Sequence, residues 1–228
     1  MPLISFERLL KSLEPYPLLG TSIAKEAYIP LYLSVNNPNL NTVNTSSSKD
    51  LEVFILEHIA KHNARVAFGG YLEQRGIYNR SDYFNTVNSE ENRDIHLGLD
   101  LWIEADSPVY APLDGIVHSL KNNANFGDYG PTIIVEHRVN GDKFFTLYGH
   151  LSLDSIKNLE IGVEVKRGQQ LATLGIAEVN GDYPPHLHFQ IIRDIQDYAG
   201  DYPGVSDQLS LEFYKKNCPD PNLLLKLV

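Results

Sequence analysis

A mainly β fold is predicted, with an antiparallel β-sheet forming a groove of barrel-sandwich type behind an N-terminal helical segment. Three observations predict it. From about residue 65 onward Gly, Pro, Tyr and β-branched residues dominate, in short apolar runs bounded by turn residues. "VNGDK" sets Asn140-Gly141 between two apolar runs, a strong hairpin signal. Between residues 101 and 192 no stretch carries a helical period of convincing length.

The elements follow in chain order. Residues 1–64 read as helix and polar loop. "SFERLLKSLE" places Leu9, Leu10 and Leu13 at helical spacing, with Ser5 as N-cap and Pro15 as stop. "NNPNLNTVNTSSSKD" reads as a loop. "SKDLEVFILEHIAKHN" then sets Leu51, Phe54, Ile55, His58 and Ile59 on one helical face. Residues 65–195 hold the strand candidates "SPVYAPLDGIVHSL", "PTIIVEHR", "DKFFTLYGHL", "GVEVKRGQQLATLG" and "HLHFQII". Residues 196–228 form a tail that packs on this core, with one short helical candidate near 206–217. No internal repeat is present.

A chain of 228 residues, 43% hydrophobic and 21% charged, has an ordinary globular composition and buries a core without staples. Its formal net charge of −10 argues against nucleic acid and against an anionic membrane as partners. The single cysteine, Cys218, excludes an intrachain disulfide and reads as a buried free thiol. "MPLISFERLLKSLEPYP" lacks a basic segment followed by a long apolar one, and no membrane span is seen, so a cytoplasmic location is expected.

The chemistry concentrates in a few of the eight histidines. In "HLHF", His186 and His188 project from the same face of a strand, roughly 7 Å apart along the backbone. That spacing lets one ring hold a metal while the other reaches the metal's open side. "IHLGLD" adds His96 and Asp100. A regular strand would hold them about 13 Å apart, so Gly98 is expected to mark a bend. His96, Asp100 and His188 together make two imidazoles and one carboxylate, a catalytic zinc set with one position left for water. Magnesium and calcium prefer oxygen ligands alone. His150, in "YGHL", pairs with His186 as two non-ligand imidazoles that steer a water, take its proton and stabilise an oxyanion. Taken singly, His96 and His150 also fit loop histidines and Asp100 a turn carboxylate. His118 and His137 read as structural. His58 and His62, four apart on a helix, have metal spacing but lack the glutamate of an HExxH helix. Tyr148, Tyr183 and Phe189 are candidates for groove lining.

In the order "HLGLD", "YGHL" and "HLHF", the chain resembles the lysostaphin-type (LytM-like) zinc metallopeptidases, many of which cut peptide crosslinks in bacterial cell walls. "SPVYAPLDGIV" and "GVEVKRGQQLATLG" resemble the family's connecting segments, and the likeness covers about residues 65–192. It implies one zinc on His96, Asp100 and His188, with His150 and His186 as the catalytic pair. Two departures stand out: Pro185 and Gln190 in "PPHLHFQ", where the family often has Gly and Glu. "DYGPTIIVEH", "GDYPGV" and "CPDPNLLL" resemble a branch found in larger proteins beside phosphotransferase and aminotransferase domains.

The expected activity is zinc-dependent hydrolysis of peptide amides next to small residues such as glycine or alanine. Soluble muropeptides or small peptides are favoured over whole wall. Two other readings compete with it. One is a non-catalytic relative that binds a peptide or partner in the same groove; its relatives usually lose ligands, and here all five positions are filled. The other is a biotinyl, lipoyl or phosphocarrier domain, suggested by "GVEVKRGQQLATLG". It would need an exposed hairpin lysine or a phosphorylatable histidine.

Overall fold

The computed structural model describes residues 5–80 and 91–227. The first helix, α1 (Phe6–Ser12), is capped as expected: Ser5 Oγ accepts from Arg8 N. The chain then forms β1 (Tyr28–Pro30), α2 (Ser48–Lys61) and β2 (Val66–Gly69). Next come β3 (Ile95–His96), β4 (Leu99–Trp102), β5 (Pro108–Tyr110), β6 (Gly115–Asn123), β7 (Gly130–Val139) and β8 (Asp142–Gly149). After the short α3 (Leu153–Lys157) follow β9 (Glu164–Val165), β10 (Gln170–Thr173), β11 (His186–Ile192) and β12 (Val205–Ser206). Two C-terminal helices, α4 (Leu211–Asn217) and α5 (Asn222–Leu225), end the described chain.

Among the described residues, eight strands make one sheet in the order β1-β2-β4-β11-β8-β7-β6-β9. All its pairings are antiparallel except that of β1 with β2. β7 and β8 meet at Asn140-Gly141, both at positive φ, which suits the right-handed twist of a tight hairpin. The helical segment anticipated for residues 1–64 is present, but it also supplies β1, which the sequence did not suggest. Its short "YIP" run has no alternation of its own and extends because β2 offers it a free edge.

β11 lies at the centre of the sheet and is buried on both faces. Its odd positions, Leu187, Phe189 and Ile191, join a core with Leu99, Leu101, Ile133, Val135 and Tyr148. Each such side chain contributes roughly 1.5–3 kcal/mol of burial. α1 and α5 pack against each other over this core, with Leu9, Leu10 and Leu224 turned into it. The even positions, His186, His188 and Gln190, face the opposite layer. There the N-terminal segment (Leu31, Leu33, Leu51, Ile55) and the tail (Tyr202, Val205, Cys218) cover the sheet.

Phe189 and Tyr148 therefore do not line a groove. They sit opposite each other on β11 and β8, ring centroids 5.4 Å apart, fully buried in the core on the far face. No described helix is long and apolar enough to cross a membrane.

Candidate metal centre

Three adjacent strands, β4, β11 and β8, deliver four of the five site residues, and β3 brings His96. On β11, His188 pairs with Asp100 of β4 on one side and with Gly149 of β8 on the other. His186 lies across from Trp102. His150 follows β8 directly, at φ +62°. That left-handed conformation is unfavourable for a side-chain-bearing residue. It is held by two backbone bonds, His150 N to Tyr129 O and Gly175 N to His150 O. The turn swings the His150 ring over His186, with ring centroids 4.2 Å apart.

The bend expected at Gly98 is present: the strand breaks between His96 and Leu99, and β3 turns away to pair with β12. The glycine has a second purpose. A Cβ there would lie 2.5 Å from the His188 ring, so only glycine admits that imidazole.

The bend brings three donor atoms together. His96 Nε2 and His188 Nδ1 are 2.9 Å apart, and each lies 3.2 Å from Asp100 Oδ1. Tetrahedral metal ligands at 2.0–2.1 Å would be separated by about 3.3 Å, so this triangle has the size of one face of a zinc site. All three residues are buried, at 2%, 1% and 2% exposure.

The tautomers follow from the partners. A carbonyl only accepts, so His96 Nδ1 donates to Gly70 O, His150 Nδ1 to Asn180 O and His186 Nδ1 to Pro184 O. In all three the bare Nε2 is left for the site. His188 is reversed. Gln190 Nε2 donates to Pro203 O and Cys218 Sγ, which turns Gln190 Oε1 toward His188 Nε2 at 3.0 Å. His188 Nε2 donates there, and Nδ1 is bare. Two unprotonated nitrogens and one carboxylate thus meet in a donor set that fits a borderline-soft cation such as zinc, with the bare His186 and His150 rings beside it.

The electrostatics agree. Burial pushes the His96 imidazole down to about 3, against the pull of Asp100. Burial, reinforced by His186 and His188, holds His150 well below the usual imidazole range. Burial also lowers His186. For Asp100, burial acts upward, but His96, Arg75 and His186 together outweigh it and hold the carboxyl well below its usual range.

The structure brings together all five residues singled out in the sequence: His96, Asp100, His150, His186 and His188. It separates the others. His58 Nε2 meets Pro30 O of β1, and His62 Nδ1 meets the His58 carbonyl at the end of α2, so one ring ties the helix to a strand and the other caps it. His118 contacts Ser119 Oγ. His137 is fully buried between Asp114 O and Thr146 Oγ1. Sequence reasoning missed Arg75 and Glu73. Arg75 Nη1 donates to Asp100 Oδ2 at 2.6 Å, and Arg75 Nε to Glu73 Oε2 at 2.7 Å. Glu73 Oε1 in turn accepts from Leu33 N. The alternation Glu-x-Arg inside "GGYLEQRGIY" was the available signal. Gln190 was noticed only as a departure, without its hydrogen bonds.

A cavity of about 330 Å³ opens onto the cluster, lined by Trp102, Tyr129, Tyr183 and residues of the tail such as Tyr202. A buried His-Asp-His triangle able to hold a metal ion thus lies on the sheet beside two bare imidazoles. Residues 94–199 match peptidase family M23, the lysostaphin-type peptidases. The match spans all five site residues.

Two curated relatives are similar. The peptidoglycan DD-endopeptidase ShyA of Vibrio cholerae is 34% identical over 98 residues, covering 42% of this chain and 20% of that protein. An uncharacterized metalloprotease of Haemophilus influenzae is 33% identical over 118 residues, covering 50% of this chain and 23% of that protein. The chain thus spans about a fifth of the length of the curated relatives it matches. Among solved structures, the catalytic domain of lysostaphin from Staphylococcus simulans aligns at 25% identity. It covers 54% of this chain and 80% of that one, with a TM-score of 0.38.

Proposed function

We propose that the chain is a zinc-dependent metallopeptidase that hydrolyses peptide amides in peptidoglycan-type stem peptides or other small Gly- and Ala-containing peptides. One observation carries the reading: the bare nitrogens of His96 and His188 meet the Asp100 carboxylate in one tight triangle, with the His186 and His150 rings beside it. His96 Nε2, Asp100 Oδ1 and His188 Nδ1 would hold the zinc. When bound there, zinc supplies a Lewis acid and lowers the pKa of water at the site.

The remaining steps belong to the chain's own groups. His150 and His186 present Nε2 atoms that are neutral at physiological pH, because burial disfavours their charged forms. One accepts the proton lost by the attacking water, and the resulting imidazolium delivers it to the leaving amine. While protonated, it also donates a hydrogen bond to the carbonyl oxygen as negative charge develops there. The Nδ1 bonds to Asn180 O and Pro184 O fix both rings, so neither must reorient during turnover. Trp102 stacks on His186 at 6.0 Å and shields it from water. Arg75 keeps Asp100 ionised and pins its second oxygen away from the cluster.

Two features bear on the substrate. The named relative ShyA acts on peptidoglycan, and the net charge of −10 gives this chain no long-range attraction to an acidic polymer. Soluble muropeptides therefore suit it better than intact wall. The test is a panel of Gly- and Ala-containing peptides and muropeptides incubated with zinc-loaded protein, with and without chelator, and read by mass spectrometry. Chelator-sensitive cleavage of one class supports the reading. No cleavage by fully loaded protein contradicts it and leaves a peptide-binding module.

A further inference from the structure

The cavity over the cluster ends at Tyr183, and that wall is built with unusual redundancy. Tyr183 is buried, and its hydroxyl donates to Gly127 O at 2.8 Å. Its backbone nitrogen donates to Asn180 Oδ1. Its ring packs edge-on to His150 with centroids 5.0 Å apart and lies 5.9 Å from that of His186. The Arg80 guanidinium lies over the same ring at 4.5 Å and over Phe126 at 5.0 Å.

Arg80 is itself locked. Its side chain is 4% exposed; Nη1 pairs with Asp182 Oδ2 at 3.1 Å, and Nη2 donates to Asp182 O. Ser48 Oγ, at the start of α2, donates to Asp182 Oδ1 at 2.9 Å. Three distant stretches of chain thus meet at Asp182, the residue before the wall.

Beyond the wall lies a second hollow of about 690 Å³, lined by Ser48, Phe126 and Asp182 among others. The two hollows share Tyr183 and Pro184. Tyr183 and Pro184 thus stand between the two hollows.

We propose that Arg80 and Asp182 close one end of the substrate groove by clamping Tyr183, and so select short peptides with a free end there. The inference rests on the peptidase reading of the same site. The Tyr183 ring is packed edge-on to His150, with centroids 5.0 Å apart, so a substrate passing the catalytic imidazoles on this side meets the wall at once. A peptide continuing in that direction collides with the wall. A polymer strand that must enter at one end and leave at the other is excluded.

Trp102, the sole tryptophan of the chain, lines the cavity and provides a binding signal independent of cleavage. The probes are Ala-Gly-Ala with free ends and the same tripeptide extended by glycines on both sides. Each is titrated into zinc-loaded protein while Trp102 fluorescence is followed, and products are read by mass spectrometry. The wild type is expected to prefer the short peptide. Arg80→Ala, and the nearly isosteric Asp182→Asn, should reduce that short-over-long preference by about tenfold or more. Melting curves identify any variant that has merely unfolded, and Asp182→Asn preserves side-chain volume if Arg80→Ala fails.

Equal affinity of the wild type for both peptides would overturn the proposal. So would folded variants that keep the wild-type ratio, or the absence of any peptide binding. A length preference in binding without any cleavage would overturn the peptidase reading alone and leave the end wall standing.

Discussion

Arg75 Nη1 donates to Asp100 Oδ2 at 2.6 Å, and both side chains are almost fully buried. The pair fixes the carboxylate so that only Oδ1 faces His96 and His188. A charge buried this deeply depends on its partner, and removing one member leaves the other uncompensated.

Arg75→Met should therefore weaken zinc binding by about 10–100-fold, the usual cost of losing a partner that orients a ligand. Arg75→Lys should recover only part of this, because an ammonium cannot bridge Glu73 and Asp100 with a planar fork. Competition with a chromophoric chelator measures both. Unchanged affinity in Arg75→Met would show that Asp100 is oriented by other means.

His150→Ala and His186→Ala should keep the fold and the zinc while losing turnover by roughly 10²–10³-fold each. The double variant should fall little below the single ones, since the two rings, 4.2 Å apart, serve one proton-transfer route. Steady-state kinetics on a cleaved peptide, with zinc content measured alongside, gives the comparison. Full activity in either variant would remove that residue from the mechanism.

Much of this site is legible in the sequence because its geometry is local. His186 and His188 share a face by strand parity alone, and Asn140-Gly141 turns the chain by its φ preferences. What escapes is set by tertiary partners. Arg75 reaches Asp100 across 25 residues of sequence, and Gln190 reads as a substitution until Pro203 and Cys218 fix its amide. β1 is extended by the edge it meets, and its own sequence does not specify that state. Phe189 lies between His188 and Gln190, so strand alternation points it away from them into the far core.

A pH prediction follows from His137, which lies outside the site. Burial lowers its imidazole to about 4, from an ordinary value near 6.5. The unfolded chain therefore binds this proton more readily than the folded one. The stabilising difference is fully present above pH 6.5 and is lost as pH falls toward 4, by up to roughly 3 kcal/mol. His137→Gln cannot titrate there, so its stability should fall less steeply between pH 6.5 and 4 than the wild type's. Denaturant melts of both proteins across that range test this. Parallel acid limbs would show that His137 is protonated equally easily in both states.

The most direct test of the central claim is zinc content and affinity in the wild type and in Asp100→Ala, each purified without added metal and then titrated with zinc. One zinc per wild-type chain is expected on His96, Asp100 and His188, with a severe loss of affinity in a folded Asp100→Ala, where two protein ligands remain. Stoichiometric zinc at unchanged affinity in Asp100→Ala, or a wild type that binds none, would contradict it.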